Sequence, residues 1–123
     1  MRAVLTCMLG LLAATPLAAD DGYSDKFRAA VASCWNLGGL SEGASRMWVR
    51  TAFELSKDGV PIPGSITLIE HGQGLEVDAE QAFEAARRAI IRCGLRGYDL
   101  PIEKYAQWRD IEMTFNPVRM RIK

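Results

Sequence analysis

The apolar residues of this chain change their spacing along its length, and the order of those changes restricts the fold more than any motif does. From about Ser24 to Asn36, Phe27, Ala30, Val31, Cys34 and Trp35 recur at helical intervals and form one continuous face. Ser24 is the expected N-cap, and Gly38-Gly39 ends the helix. Alternation follows over residues 46–56, with Met47, Val49, Thr51, Phe53 and Leu55 on one side and Trp48, Arg50, Ala52 and Glu54 on the other. Asp58-Gly59 signals a turn, and Pro61 and Pro63 mark loop rather than central strand. Residues 65–71 alternate again, with Ile66 and Leu68 inward. The spacing turns helical once more after Asp78, the expected cap, with Gln81 completing a capping box. Ala79, Ala82, Phe83, Ala86, Ala89, Ile90 and Cys93 form its apolar stripe, and Gly94 ends it. A connector with Pro101 and one helical turn at 102–107 follows, on which Tyr105 and Trp108 pack against the sheet or the helix ends. The last segment, Arg109 to Asn116, alternates Ile111, Met113 and Phe115 with Asp110, Glu112 and Thr114 until Pro117 interrupts it.

The order helix, strand, strand, helix, strand predicts an α+β fold. Two helices lie on one face of a three-stranded antiparallel sheet. Phe53, Leu55, Phe83, Ile90, Met113 and Phe115 are the expected core.

Residues 1–19 read differently from the rest. Arg2 precedes an apolar run from Ala3 to about Ala14, and Pro16, Ala18 and Ala19 follow. This is the order of a secretory signal, with cleavage expected after Ala19; the alternative is an uncleaved membrane anchor. Cys7 lies inside the apolar run rather than at the cleavage point, which argues against a lipoprotein. Export places residues 20–123 in an oxidising compartment, where Cys34 and Cys93 are expected to form a disulfide; two buried free thiols are the alternative. The bridge would close a loop of about 60 residues and stabilise the fold by roughly 4 kcal/mol. Both cysteines sit on core-facing stripes near helix ends, so the pairing is geometrically reasonable.

The chain has 15 basic and 15 acidic residues, which is not the footprint of a nucleic-acid binder. Catalytic signals are sparse. His71 is the sole histidine and reads as a loop residue in solvent rather than an acid–base catalyst or metal ligand. "GQG" at 72–74 lacks the remainder of a phosphate-binding loop, and there is no Gly-x-Ser-x-Gly element. Arg87, Arg88, Arg92 and Arg96 crowd the end of the second helix. They are read as complementing its dipole and pairing with Glu80 or Glu84, with an anionic lipid or acidic partner as the alternative. No enzyme activity, cofactor, metal or small-molecule substrate is expected.

Four segments taken together carry a family resemblance. "FRAAVASCWN", "VRTAFELSKDG", "AFEAARRAIIRC" and "LPIEKYAQWRDIEMTFNP" occur in that order between about Tyr23 and Met120. They resemble the C-terminal domain of the TolA proteins, within the TolA/TonB C-terminal fold, in forms like those of alphaproteobacteria. The resemblance implies a periplasmic protein-interaction domain of the Tol–Pal cell-envelope system, which supports outer-membrane constriction and integrity during division and in which the domain reaches the periplasmic protein TolB. It also implies that the last strand lies beside the first. A full TolA carries an N-terminal membrane helix and a long helical stalk. Here the predicted signal is followed almost at once by the domain, so a free periplasmic form is expected, with membrane attachment only if the signal is retained. The alternative reading is a periplasmic inhibitor or envelope-stress factor that uses the same fold on an unrelated target.

On this reading the last strand is an edge, and edges are normally blunted or used. Arg109, Asp110, Ile111, Glu112, Met113, Thr114, Phe115 and Asn116 are the expected partner-binding residues, accepting an extended segment of a TolB-like protein by strand addition. Val118, Met120 and Ile122 alternate with Arg119, Arg121 and Lys123, so the tail could extend alongside; the alternative is that it folds back and closes the edge.

Overall fold

The computed structural model describes residues 22–118. The expected signal sequence and the alternating tail beyond Val118 lie outside the described residues. Within them the chain forms helix α1 (Tyr23–Ser33), strand β1 (Val49–Glu54), strand β2 (Thr67–His71), helix α2 (Glu76–Cys93), a short helix α3 (Tyr105–Trp108) and strand β3 (Asp110–Phe115). The strands make one antiparallel sheet in the order β2–β1–β3, so the predicted α+β fold is present.

Alternation places one face of β1 against the helices. Val49, Thr51 and Phe53 are buried, as are Met47 and Leu55 just outside the strand. They meet Phe27 and Val31 of α1, the alanines and Ile90 of α2, and Met113 and Phe115 of β3. Thr51 is buried with its hydroxyl donating to the carbonyl of Met113 at 3.2 Å, which satisfies a polar group in an apolar layer. The opposite face is polar: Arg50 pairs with Glu70 at 3.0 Å and donates to Thr114 at 3.3 Å, which spans all three strands. Beside Arg50 the pairing steps from Glu70 to Leu68, so Ile69 is an extra residue of β2, a β-bulge that leaves its side chain exposed.

β1 is shorter than the expected 46–56. Ala44–Arg46 forms a helical turn before it, and beyond Glu54 only an isolated bridge from Leu55 to Pro61 continues the pairing. The Asp58-Gly59 turn is held from Ser56 and packs on a distant loop, with the Tyr98 amide donating to the Gly59 carbonyl at 2.8 Å. Gly59 has φ 79°, and a Cβ there would collide with the backbone of Tyr98, so this position demands glycine twice over.

Both expected helix caps are corrected. α1 starts one residue before Ser24, behind Gly22, and no side chain caps it. α2 starts at Glu76 behind Leu75, so Asp78 and Gln81 fall within its first turns and form no capping box. Their acceptors serve the loop between α1 and β1 instead: Ser41 donates its hydroxyl to Asp78 at 2.8 Å and its amide to Gln81 at 3.1 Å. An Asp and a Gln three positions apart on one helix face offer two acceptors to any chain crossing that face, and the loop takes both. The stripe of α2 matches the expected one at Ala79, Ala82, Ala86, Ala89 and Ile90 and departs from it at Phe83. Ala79, Ala82, Ala85, Ala86, Ala89 and Ile90 are buried, and Phe83 lies partly buried at the border rather than in the core. Alanines on the buried line let the helix sit close to its neighbours, which pushes the bulky ring aside.

Cys34 and Cys93 are bonded, with their Cα atoms 5.9 Å apart. The bridge joins the C-terminal ends of α1 and α2, as their stripes require. Nearby, Tyr98 is 7% exposed and donates its hydroxyl to the carbonyl of Ile90 at 2.6 Å. Burial pushes its phenol well above the usual range. The proton is therefore retained in the folded state after an unfolded tyrosine, with a pKa of about 10, has lost it. This contribution to stability is fully present below pH about 10 and falls as pH rises beyond it. Thermal melts across that range are expected to show an alkaline loss that is reduced in Tyr98→Phe; an unchanged alkaline limb would contradict the assignment.

Candidate protein-interaction site

β3 is one of the two border strands of the sheet, and it is the one without a bulge. Its residues pair with β1 from Asp110 opposite Glu54 to Phe115 opposite Val49. The amide of Leu55 donates to the carbonyl of Arg109 at 2.9 Å, which fixes the phase of the ladder. In an antiparallel pair, residues with both backbone groups turned inward alternate with residues whose groups turn outward. Ile111, Met113 and Phe115 therefore spend their N–H and C=O groups on β1. Those of Asp110, Glu112 and Thr114 face away, and among the described residues no backbone hydrogen bond reaches that side.

A groove runs along this edge. It encloses about 220 Å³ between β3 and the start of α1, with Tyr23, Phe27, Leu100, Trp108, Ile111 and Met113 as its apolar surface and Arg28, Asp110 and Glu112 among its polar residues. Two features hold the far wall. Tyr23 donates to the side chain of Gln107 at 3.0 Å, and Phe27 packs edge-on against Tyr98 with ring centroids 4.7 Å apart. The floor is fixed by Trp108, which is 2% exposed, donates its indole N–H to the carbonyl of Pro101 at 2.6 Å, and stands edge-on to Tyr105. Tyr105 in turn donates to the carbonyl of Leu55 at 2.8 Å. The connector is thus pinned at both ends before the chain enters β3.

The eight residues expected to bind a partner divide by position. Asp110, Glu112 and Thr114 offer outward backbone and exposed side chains. Ile111 is half-buried and lines the groove. Met113 and Phe115 are core residues, and the side chain of Phe115 packs against Trp35. Arg109 precedes the strand: its amide closes the helical turn on Tyr105 at 2.8 Å, and its guanidinium pairs with Asp110 at 3.1 Å. That hydrogen bond and the carboxylate charge raise the already basic guanidinium further. Asn116 follows the strand and accepts from the amide of Val118 at 3.2 Å, which turns the chain. Tyr23, Phe27 and Leu100 form the opposite wall and were not among the expected site residues. Tyr23 stands four positions before Phe27 on the stripe of α1, which is the one sequence signal that points to it.

His71 is separate from this edge. Its Nδ1 donates to the carbonyl oxygen of Gly72 at 2.7 Å, and its Nε2 lies 3.9 Å from Glu76. Compared with protein-family models and with curated protein sequences, the chain matches none.

Proposed function

We propose that the chain is a non-enzymatic periplasmic protein-interaction domain that binds an extended segment of a TolB-like partner by strand addition to β3, within the Tol–Pal cell-envelope system. The observation that carries this reading is the outward row of backbone groups at Asp110, Glu112 and Thr114, set beside an apolar groove. An added strand gains its affinity from main-chain hydrogen bonds and its specificity from alternate side chains entering the groove. The resemblance to TolA C-terminal domains supplies the partner, and the Cys34–Cys93 bridge is compatible with the oxidising periplasm. Two carboxylates on the outward positions, Asp110 and Glu112, disfavour indiscriminate pairing and favour a segment with basic or neutral residues opposite them.

Proline substitution separates binding from folding here. Glu112→Pro removes an N–H that faces outward, so the β1 ladder keeps its bonds, and proline is tolerated on edge strands of that phase. Met113→Pro removes an N–H that β1 uses. Titration of an N-terminal TolB-like peptide is expected to move the amide resonances of Asp110, Glu112 and Thr114 and the aromatic resonances of Tyr23 and Phe27. Glu112→Pro is expected to abolish those changes while keeping the fold, whereas Met113→Pro destabilises it. Shifts confined to α2, or binding untouched by Glu112→Pro, would remove strand addition at this edge. Residues 119–123 closing the edge themselves would leave the peptide without effect.

A further inference from the structure

A second groove lies at the C-terminal ends of the two long helices and shares no residue with the first. It encloses about 380 Å³ between the turn that follows α1 and the C-terminal half of α2. Cys34 and Gly38 lie on one wall; Arg88, Ile91, Arg92 and Leu95 lie on the other. Leu95 is 68% exposed, so an apolar side chain projects at the mouth without cover among the described residues.

The charges around it are not explained by folding. Arg88 and Arg92 stand four positions apart on α2, a spacing at which like charges repel. The helix dipole accounts for Arg92, which lies in the last turn, but Arg88 is a full turn earlier. Glu84 has the right spacing to pair with Arg88, and Glu80 is close by. Both share a neighbouring depression with Arg88, yet among the described residues no ion pair joins Arg88 or Arg92 to any carboxylate. Two guanidinium groups therefore remain available beside an apolar cleft whose two walls are tied covalently by the Cys34–Cys93 bridge. A cleft held in that way loses little freedom when it is filled.

We propose that this groove is a second docking site, which takes an acidic peptide segment bearing one large apolar side chain. The guanidinium fork matches a carboxylate in a two-point hydrogen bond, and the cleft between Ile91, Leu95 and the disulfide takes the apolar residue. A bare anion would leave the apolar cleft unfilled, and a lipid surface would cover the projecting Leu95 but leave the concavity behind it empty. The proposal does not depend on strand addition at β3.

The test uses the full chain in the form the cell accumulates, titrated with three short synthetic peptides and with vesicles containing anionic phosphatidylglycerol. One peptide carries glutamates around a single Phe, one replaces the glutamates by glutamines, and one replaces the Phe by glycine. The first peptide is expected to shift the amides of residues 34–38 and 85–96, with residues 110–114 unaffected. Its affinity is expected to exceed that of each control by about tenfold, and Arg88→Gln/Arg92→Gln is expected to remove its advantage over the glutamine peptide, which charge-assisted hydrogen bonds supply. Both arginines are exposed, and an unchanged melting curve verifies that the variant is folded. Equal binding of the glutamine peptide, no shifts in residues 85–96, insensitivity to the double substitution, or binding to vesicles alone would each overturn the proposal.

Discussion

Trp108→Ala is expected to cost about 3–5 kcal/mol of folding stability, the range for removing a large buried aromatic. The indole is 2% exposed and belongs to the same cluster as Phe53, Met113 and Phe115. Truncation leaves a cavity where chain direction is set for β3. It also strands the carbonyl of Pro101, which loses its partner at 2.6 Å. Domains of this size are typically stable by about 5–15 kcal/mol, so the substitution removes a large fraction of the total. Trp108→Phe keeps much of the volume and loses the hydrogen bond, and is expected to fall between. Urea denaturation measures all three proteins. A cost for Trp108→Ala below about 1 kcal/mol would show that the connector does not depend on the indole.

Opening the Cys34–Cys93 bridge is the other large effect, and it works on a different state. The bonded residues are 59 apart in sequence. On the chain-entropy account, a closed loop of that length disfavours the unfolded ensemble by roughly 4 kcal/mol. Cys34→Ser/Cys93→Ser is expected to lose about that much. It should also steepen the denaturant dependence, because the unfolded chain becomes free to expand. The two losses can thus be told apart: the tryptophan variant changes the midpoint at constant slope, and the cysteine variant changes both. Intact mass after alkylation without reductant supplies a direct check. Modification of both cysteines in the folded, unreduced protein would contradict the bridge.

What the sequence carried well was periodicity. Alternation through Val49, Thr51 and Phe53, and again through Ile111, Met113 and Phe115, identified the buried face of both strands. The disulfide was expected from a pair of cysteines in a chain read as exported, and the ends of two helical stripes made the pairing reasonable. What it carried poorly was the choice of partner for a polar group. Asp78 followed by Gln81 has the form of a capping box, but both serve Ser41, which lies 37 positions from Asp78. Phe83 looked like core because it is large and on the stripe; the small alanines around it, not the ring, set how closely α2 packs. At the candidate site, the edge strand was legible as a strand. Its groove was not, since its far wall depends on Tyr23 meeting Gln107 across 84 positions. No local pattern encodes that contact. The sheet order was inferred from related folds rather than from the residues, and the register fixes which alternate backbone groups face outward.

The bulge at Ile69 makes the two borders of the sheet unequal. β2 is the other border strand, and the extra residue there distorts its twist, so the border does not offer a regular template to an incoming chain. In the vocabulary of polymer chemistry, a subunit with two matching open borders is bifunctional and can grow into a filament. If a chain adds at β3 as proposed, it meets no equally regular border across the sheet, so on that reading the domain is monofunctional and ends a row of strands rather than linking one.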